Sequence, residues 1–113
     1  MNDNDRLPTA LWVDAHLRRL TLEAVPYYIV NKGAPASGTV MLKLYAPGQG
    51  TKLLQQQRDL DGDMGWLALF QGETVEEAKA VDYIRRAIER DPDVWVIEIE
   101  NKKFTNPFEG KVF

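Results

Sequence analysis

The sequence contains no cysteine, one histidine (His16) and one serine (Ser37). Without cysteine, a disulfide, a thiolate nucleophile and a thiolate-held metal are all excluded. A single histidine is too few for the usual zinc ligand set. Ser37 lies in a Pro/Gly loop and not on the strand–turn–helix elbow that exposes a nucleophilic serine, so a serine triad is excluded as well. Long apolar runs are also lacking. The longest is Trp66-Leu67-Ala68-Leu69-Phe70, far short of the roughly 20 residues that span a bilayer. The opening Met1-Asn2-Asp3-Asn4-Asp5-Arg6 is polar and acidic, where a signal peptide is basic and then apolar. No dense basic patch of the kind that binds nucleic-acid backbones is present. The expectation is a cytoplasmic protein with neither a membrane nor a nucleic-acid partner.

What is there is ordinary for a folded domain: 113 residues, 44% apolar and 27% charged, enough to bury a core without staples. Residues 1–113 read as a single domain, with a polar segment at 1–6 and a loosely packed tail from about 104 to 113. Net charge is −3, unevenly spread. Residues 1–58 hold seven Lys/Arg against four Asp/Glu (+3), and residues 59–113 hold seven against thirteen (−6). Such asymmetry either biases how a partner docks or reflects two solvated faces.

Val13, Leu17, Leu20 and Ala24 recur at helical spacing, predicting a helix from about residue 9 to 24 between Pro8 and Pro26. Trp12 and His16 lie together on the flank of that stripe. Tyr27-Tyr28-Ile29-Val30 reads as a strand. The alternation of Val40, Leu42 and Leu44 with Met41, Lys43 and Tyr45 predicts a second, and Pro47-Gly48-Gln49-Gly50 a turn. Residues 52–58 return as a hairpin partner, whose Gln55-Gln56-Gln57 run suits a sheet edge. Residues 66–70 form a strand apolar on both faces. Thr74 and Glu77 have capping-box spacing ahead of a helix with Val81, Ile84 and Ile88 as its buried stripe. Val94-Trp95-Val96-Ile97-Glu98-Ile99-Glu100 is the strongest strand signal. The class is therefore α+β with order α-β-β-β-β-α-β. A helical crossover should leave strands 66–70 and 94–97 parallel. The simplest solution is a mixed, mostly antiparallel five-stranded sheet with a helix on each face. Both helices on one face is the alternative.

The chemistry-bearing residues each carry a plain reading beside a functional one. His16 is a general-base candidate or a structural histidine. Arg18 and Arg19 near the end of the first helix form an anion clamp, or merely favour the helix dipole. Glu98 and Glu100 share a strand face with Val94 and Val96, emerging at the sheet rim or pairing with Arg18 or Arg19. Asp59-Leu60-Asp61-Gly62-Asp63 invites a calcium reading, but Met64 and Phe70 fall where an EF-hand loop needs Gly and Glu. Asp93 with Glu100-Asn101-Lys102 has the composition of a metal-dependent nuclease site. Yet seven residues along one strand separate the acids by ~23 Å at ~3.3 Å per residue, too far for one ion with ligands at ~2 Å.

Three stretches also carry a resemblance: Trp12-Val13-Asp14-Ala15-His16-Leu17-Arg18-Arg19, Gly38-Thr39-Val40-Met41-Leu42-Lys43, and Asp91-Pro92-Asp93 running into the 94–100 strand. In content and order they resemble a small bacterial family catalogued as domain of unknown function 1491, over about residues 7–104. The resemblance implies one domain and a bacterial cytoplasm, and carries over no catalytic residue and no cofactor. By elimination, the sequence points to a non-catalytic protein-binding or adaptor module, acting with a protein partner or as a homodimer. Its expected functional surface holds Trp12, His16, Arg18, Arg19, Asp93, Trp95 and Glu98. The alternative is a small metal-assisted hydrolase built on Asp and Glu, which requires Asp14, Asp93, Glu98 or His16 to converge in a pocket.

Overall fold

A computed structural model describes residues 7–113; the polar opening at 1–6 lies outside the described residues. The elements follow in the order α1 (Thr9–Leu22), β1 (Tyr27–Asn31), β2 (Val40–Ala46), β3 (Gly50–Arg58), β4 (Met64–Ala68), α2 (Glu77–Arg90) and β5 (Trp95–Glu100). The five strands form one sheet in the order β1-β5-β2-β3-β4. Only β2–β5 is parallel; β1–β5, β2–β3 and β3–β4 are antiparallel. It follows that β4 and β5 run in the same sense, although two strands separate them. No helix among the described residues is long and apolar enough to cross a membrane.

Alternation along β2 and β5 divides the core in two. Val40, Leu42, Leu44, Trp95, Ile97 and Ile99 join Val13, Leu17 and Leu20 of α1. Met41, Val94 and Val96 join Ala80, Ile84 and Ala87 of α2 on the other side. One helix therefore covers each face.

Local chemistry departs from expectation at four places. Helix α1 ends at Leu22, because Ala24 takes a left-handed φ of 57° and turns the chain into β1. Helix α2 has Glu76 as its N-cap, with no side-chain cap. Val75 is instead held by paired backbone bonds with Thr51, so Thr74 sits too early to close a capping box. The buried stripe of α2 is Ala80, Ile84 and Ala87, while Val81 is 49% exposed. The helical period is as expected; its phase is set by the small alanines, which let α2 approach the sheet. The Gln run does not make β3 an edge strand. β3 lies inside the sheet, yet its first half pairs with β2 up to Met41–Gln55 and its second half with β4. Beyond β2 its open side is sealed by Gln56, whose Oε1 accepts from the Val40 N–H at 3.1 Å. Finally, the tail at 104–113 leaves residues 109–113 exposed, yet it is tied to the fold at single points. Phe108 is 4% exposed, and Trp66 exchanges backbone bonds with Lys111 and Phe113.

Gly33 and Gly38 flank the carbonyl of Asp93 at the entry to β5. A Cβ on Gly33 would strike that carbonyl and stand 2.7 Å from Trp95 Cδ1. Space, not backbone freedom, therefore requires glycine here. Gly33→Ala is expected to lower unfolding free energy by about 2 kcal/mol in urea titration, the usual range for overpacking against backbone. An unchanged midpoint would show that the 33–38 loop is free to shift.

Candidate functional site

The residues expected to form one functional surface lie in four places. Trp12 and His16 are on α1 and belong to an aromatic cluster with Trp66 of β4 and Phe108 of the tail. The His16 ring stacks on Phe108 at 4.6 Å and lies 4.4 Å from Trp12. The Glu109 N–H donates to His16 Nε2 at 3.2 Å, so Nε2 is the unprotonated nitrogen. Nδ1–H then donates to the Trp12 carbonyl at 2.8 Å. Both nitrogens are thus committed to backbone, and the histidine ties the tail to α1. This is the structural role weighed in the sequence.

Arg18 is exposed and pairs with Asp14 one turn earlier at 3.3 Å, and Arg19 is exposed beside it. Neither pairs with Glu98, for a geometric reason. α1 covers the Ile97/Ile99 face of β5, whereas Glu98 points to the face of α2. Asp93 lies in the turn before β5 and uses its carbonyl to accept from the Ala34 N–H. Trp95 is buried, with its indole N–H on the Ala34 carbonyl at 2.9 Å. Asp14, His16, Asp93 and Glu98 therefore do not converge, and the geometry a carboxylate-based hydrolase needs is not assembled from them. Among the described residues, no three His, Asp or Glu side chains gather as a metal-holding group.

Glu98 meets a residue that sequence reasoning assigned only to a strand face. Lys43 is a buried charge, its side chain 6% exposed. Its Nζ lies 2.6 Å from Glu77 Oε1 on α2 and 2.8 Å from Glu98 Oε1 on β5. Burial alone would lower the Lys43 pKa, but hydrogen bonds and attraction from Glu77 and Glu98 outweigh it and hold the pKa above its ordinary 10.5. Tyr45, one step along the same face, is raised above 10.0 by burial and then by the Glu100 and Glu98 charges. A lysine held protonated by two carboxylates is neither a nucleophile nor a base at neutral pH. Its role is to fasten α2 to the sheet.

The surface that remains open is the outer edge of β1. The two sheet edges contrast. Beyond β4 the tail adds a parallel bridge from Val112 to Trp66. Beyond β1, among the described residues, no strand follows. Tyr27, Tyr28, Ile29 and Val30 are 39%, 65%, 36% and 38% exposed, and Leu22, just upstream at the end of α1, is 88% exposed. An uncharged apolar edge strand is a template for strand pairing unless something blunts it. The sequence carried this signal in four successive apolar residues, but gave no sign that neither helix would cover them.

The sequence matches a family model described as a protein of unknown function (DUF1491) over residues 7–109. A crystal structure of a DUF1491 family protein from Caulobacter crescentus CB15 aligns with a TM-score of 0.84 at 28% identity, covering 96% of this chain and 100% of that one. An NMR structure of a DUF1491 family protein from the same organism gives 0.80 at 30% identity, covering 95% and 96%. The solution structure of a protein from A. tumefaciens shares the fold, with a TM-score of 0.73 at 20% identity over 91% and 92%. No curated protein matches the chain.

Proposed function

We propose that this chain, which belongs to the DUF1491 family, is a non-catalytic protein-binding module of the bacterial cytoplasm. The observation that carries this reading is the open β1 edge, with four exposed apolar residues in a row. In β-strand addition, main-chain bonds to such an edge supply affinity and alternate side chains supply selectivity. The scattering of His16, Asp14, Asp93 and Glu98 supports the same reading, since His16 and Glu98 serve the fold, Asp14 pairs with Arg18 at the surface of α1, and Asp93 lies exposed in the turn before β5.

The test is a tagged pull-down from the native host, run at low and high salt with wild type and Ile29→Pro. The Glu100 N–H donates to the Pro26 carbonyl at 3.1 Å. Antiparallel alternation then makes Tyr28–Glu98 the next hydrogen-bonded pair and turns the Ile29 N–H outward. Proline at 29 therefore deletes an outward donor without removing a bond to β5. The expected result is a stoichiometric protein that survives high salt, because the edge is uncharged, and disappears with Ile29→Pro. A partner retained by the proline variant, or lost in salt alone, would remove β1 from the reading.

A further inference from the structure

Resting on that binding role, we infer that the strand added to β1 is β1 of a second copy, paired antiparallel about a two-fold axis at Tyr28. Three features of the molecule point to this occupant.

The first is register. Of the β1 residues before the bulge that shifts the register between Ile29 and Asn31, Tyr27 and Ile29 turn their N–H and C=O groups outward. Antiparallel pairing centred on Tyr28 sets Tyr27 against Ile29 of the second copy and Ile29 against its Tyr27. Both are hydrogen-bonded pairs, so all four outward donors and acceptors on each strand are used. Tyr28 then faces its own symmetry mate at the close Cα spacing of a non-hydrogen-bonded pair, ~4.5 Å. On the α1 face, Tyr27 and Ile29 continue the apolar rows of their β5 partners Ile99 and Ile97.

The second is charge. β1 itself is uncharged, with Lys32 just after it and Glu23 before it. Antiparallel self-pairing brings the Lys32 end of one copy to the Glu23 end of the other, twice. Glu98, the β5 partner of Tyr28, would otherwise set an unpaired carboxylate on each side of the axis; Lys43, which Glu77 shares, offsets part of its charge.

The third is closure. Once two β1 edges have paired, the outer edges of the ten-stranded sheet are both β4, and the tail already bridges to each at Trp66. Assembly stops at two, giving an isologous contact and not a growing filament.

The experiment is a charge swap at the axis, read by analytical ultracentrifugation across a concentration series. Tyr28 is 65% exposed, so Tyr28→Lys and Tyr28→Glu should both fold, which circular dichroism verifies. Wild type should show a monomer–dimer equilibrium. Each variant alone should self-associate about tenfold more weakly or worse, because like charges face each other across the axis. Mixed in equal amounts, the two should recover a heterodimer. A wild type that stays monomeric, a Tyr28→Lys that dimerises as well as wild type, or a mixture without heterodimer would each overturn the pairing. If wild type stays monomeric while a different protein is captured and lost with Ile29→Pro, self-pairing falls and the binding role stands. If nothing is captured either, both fall.

Discussion

Trp66→Ala is expected to lower the unfolding free energy by about 4 kcal/mol, within the range for emptying a buried indole site. For a domain of this size, total stability is on the order of 5–15 kcal/mol, so the variant should lose between about a quarter and four fifths of it. Trp66 is 1% exposed and joins three parts of the molecule. Its ring stacks 6.3 Å from Trp12 of α1 and meets Phe108 of the tail edge-on at 6.2 Å. Its indole N–H donates to the Glu109 carbonyl at 2.9 Å, its backbone N–H to the Lys111 carbonyl at 2.9 Å, and its carbonyl accepts from Phe113 at 2.8 Å. Trp66→Phe separates these contributions. It keeps both backbone bonds and most of the ring contact, and loses the indole donor together with part of the ring volume. That leaves the Glu109 carbonyl to water and is expected to cost about 1–2 kcal/mol. Urea denaturation measures both. Hydrogen exchange at Phe113 should accelerate strongly in Trp66→Ala and modestly in Trp66→Phe. If Trp66→Ala changed stability by less than 1 kcal/mol, the aromatic cluster would not be the anchor of the tail.

That anchor shows why sequence reasoning reached the sheet and not the contacts that tie down the tail. Alternation is a local signal. Val40, Leu42 and Leu44 against Met41, Lys43 and Tyr45 divided correctly between the two helices, because a strand's faces follow from its own residues. The tail has no period: it is held by single contacts to a tryptophan far away in sequence, and nothing in residues 104–113 alone announces them. The errors on α2 are similar. Thr74 and Glu77 have the right spacing for a cap, but Val75 gains two backbone bonds to Thr51 and Glu77 gains Lys43, and these tertiary contacts override the local one. Val81 outranks Ala80 in hydrophobicity, yet a helix lying close to a sheet turns its small residues inward. The site was least legible of all. Trp12 and His16 were recognised as neighbours. The openness of β1, by contrast, depends on where α1 stops and on which strand the tail covers, and both are properties of the assembled fold.

Lys43→Met should cost about 2–3 kcal/mol at neutral pH, and this loss should shrink in alkaline solution. Methionine retains much of the volume, so the loss reports charge more than packing. Removing one member of a buried pair strands the other, which costs about 3–5 kcal/mol when both are fully enclosed. Here Glu98 and Glu77 keep 26% and 61% side-chain exposure, so water recovers part of it. The sign of the pH effect follows from proton binding. The folded chain holds the Lys43 proton more tightly than the unfolded chain does, so the ion triad stabilises the fold fully below 10.5 and ceases to as pH rises through the higher folded value. Tyr45 acts in the same direction, since its raised pKa means that the folded state resists ionisation above 10.0. Wild-type stability should therefore carry no contribution of changing size from either group between pH 6 and 9 and fall above about pH 10. Because Lys43→Met has no lysine proton to lose, the gap between the two proteins should narrow over the same interval. Pairing Lys43→Met with Glu98→Gln should restore part of the loss, because the less exposed of the two stranded carboxylates is removed and only Glu77, at 61% side-chain exposure, is left to water; the double-mutant cycle gives the coupling directly. A gap that stays constant to pH 11, or a cycle with no coupling, would mean that Lys43 contributes through packing of its methylenes and not through its charge.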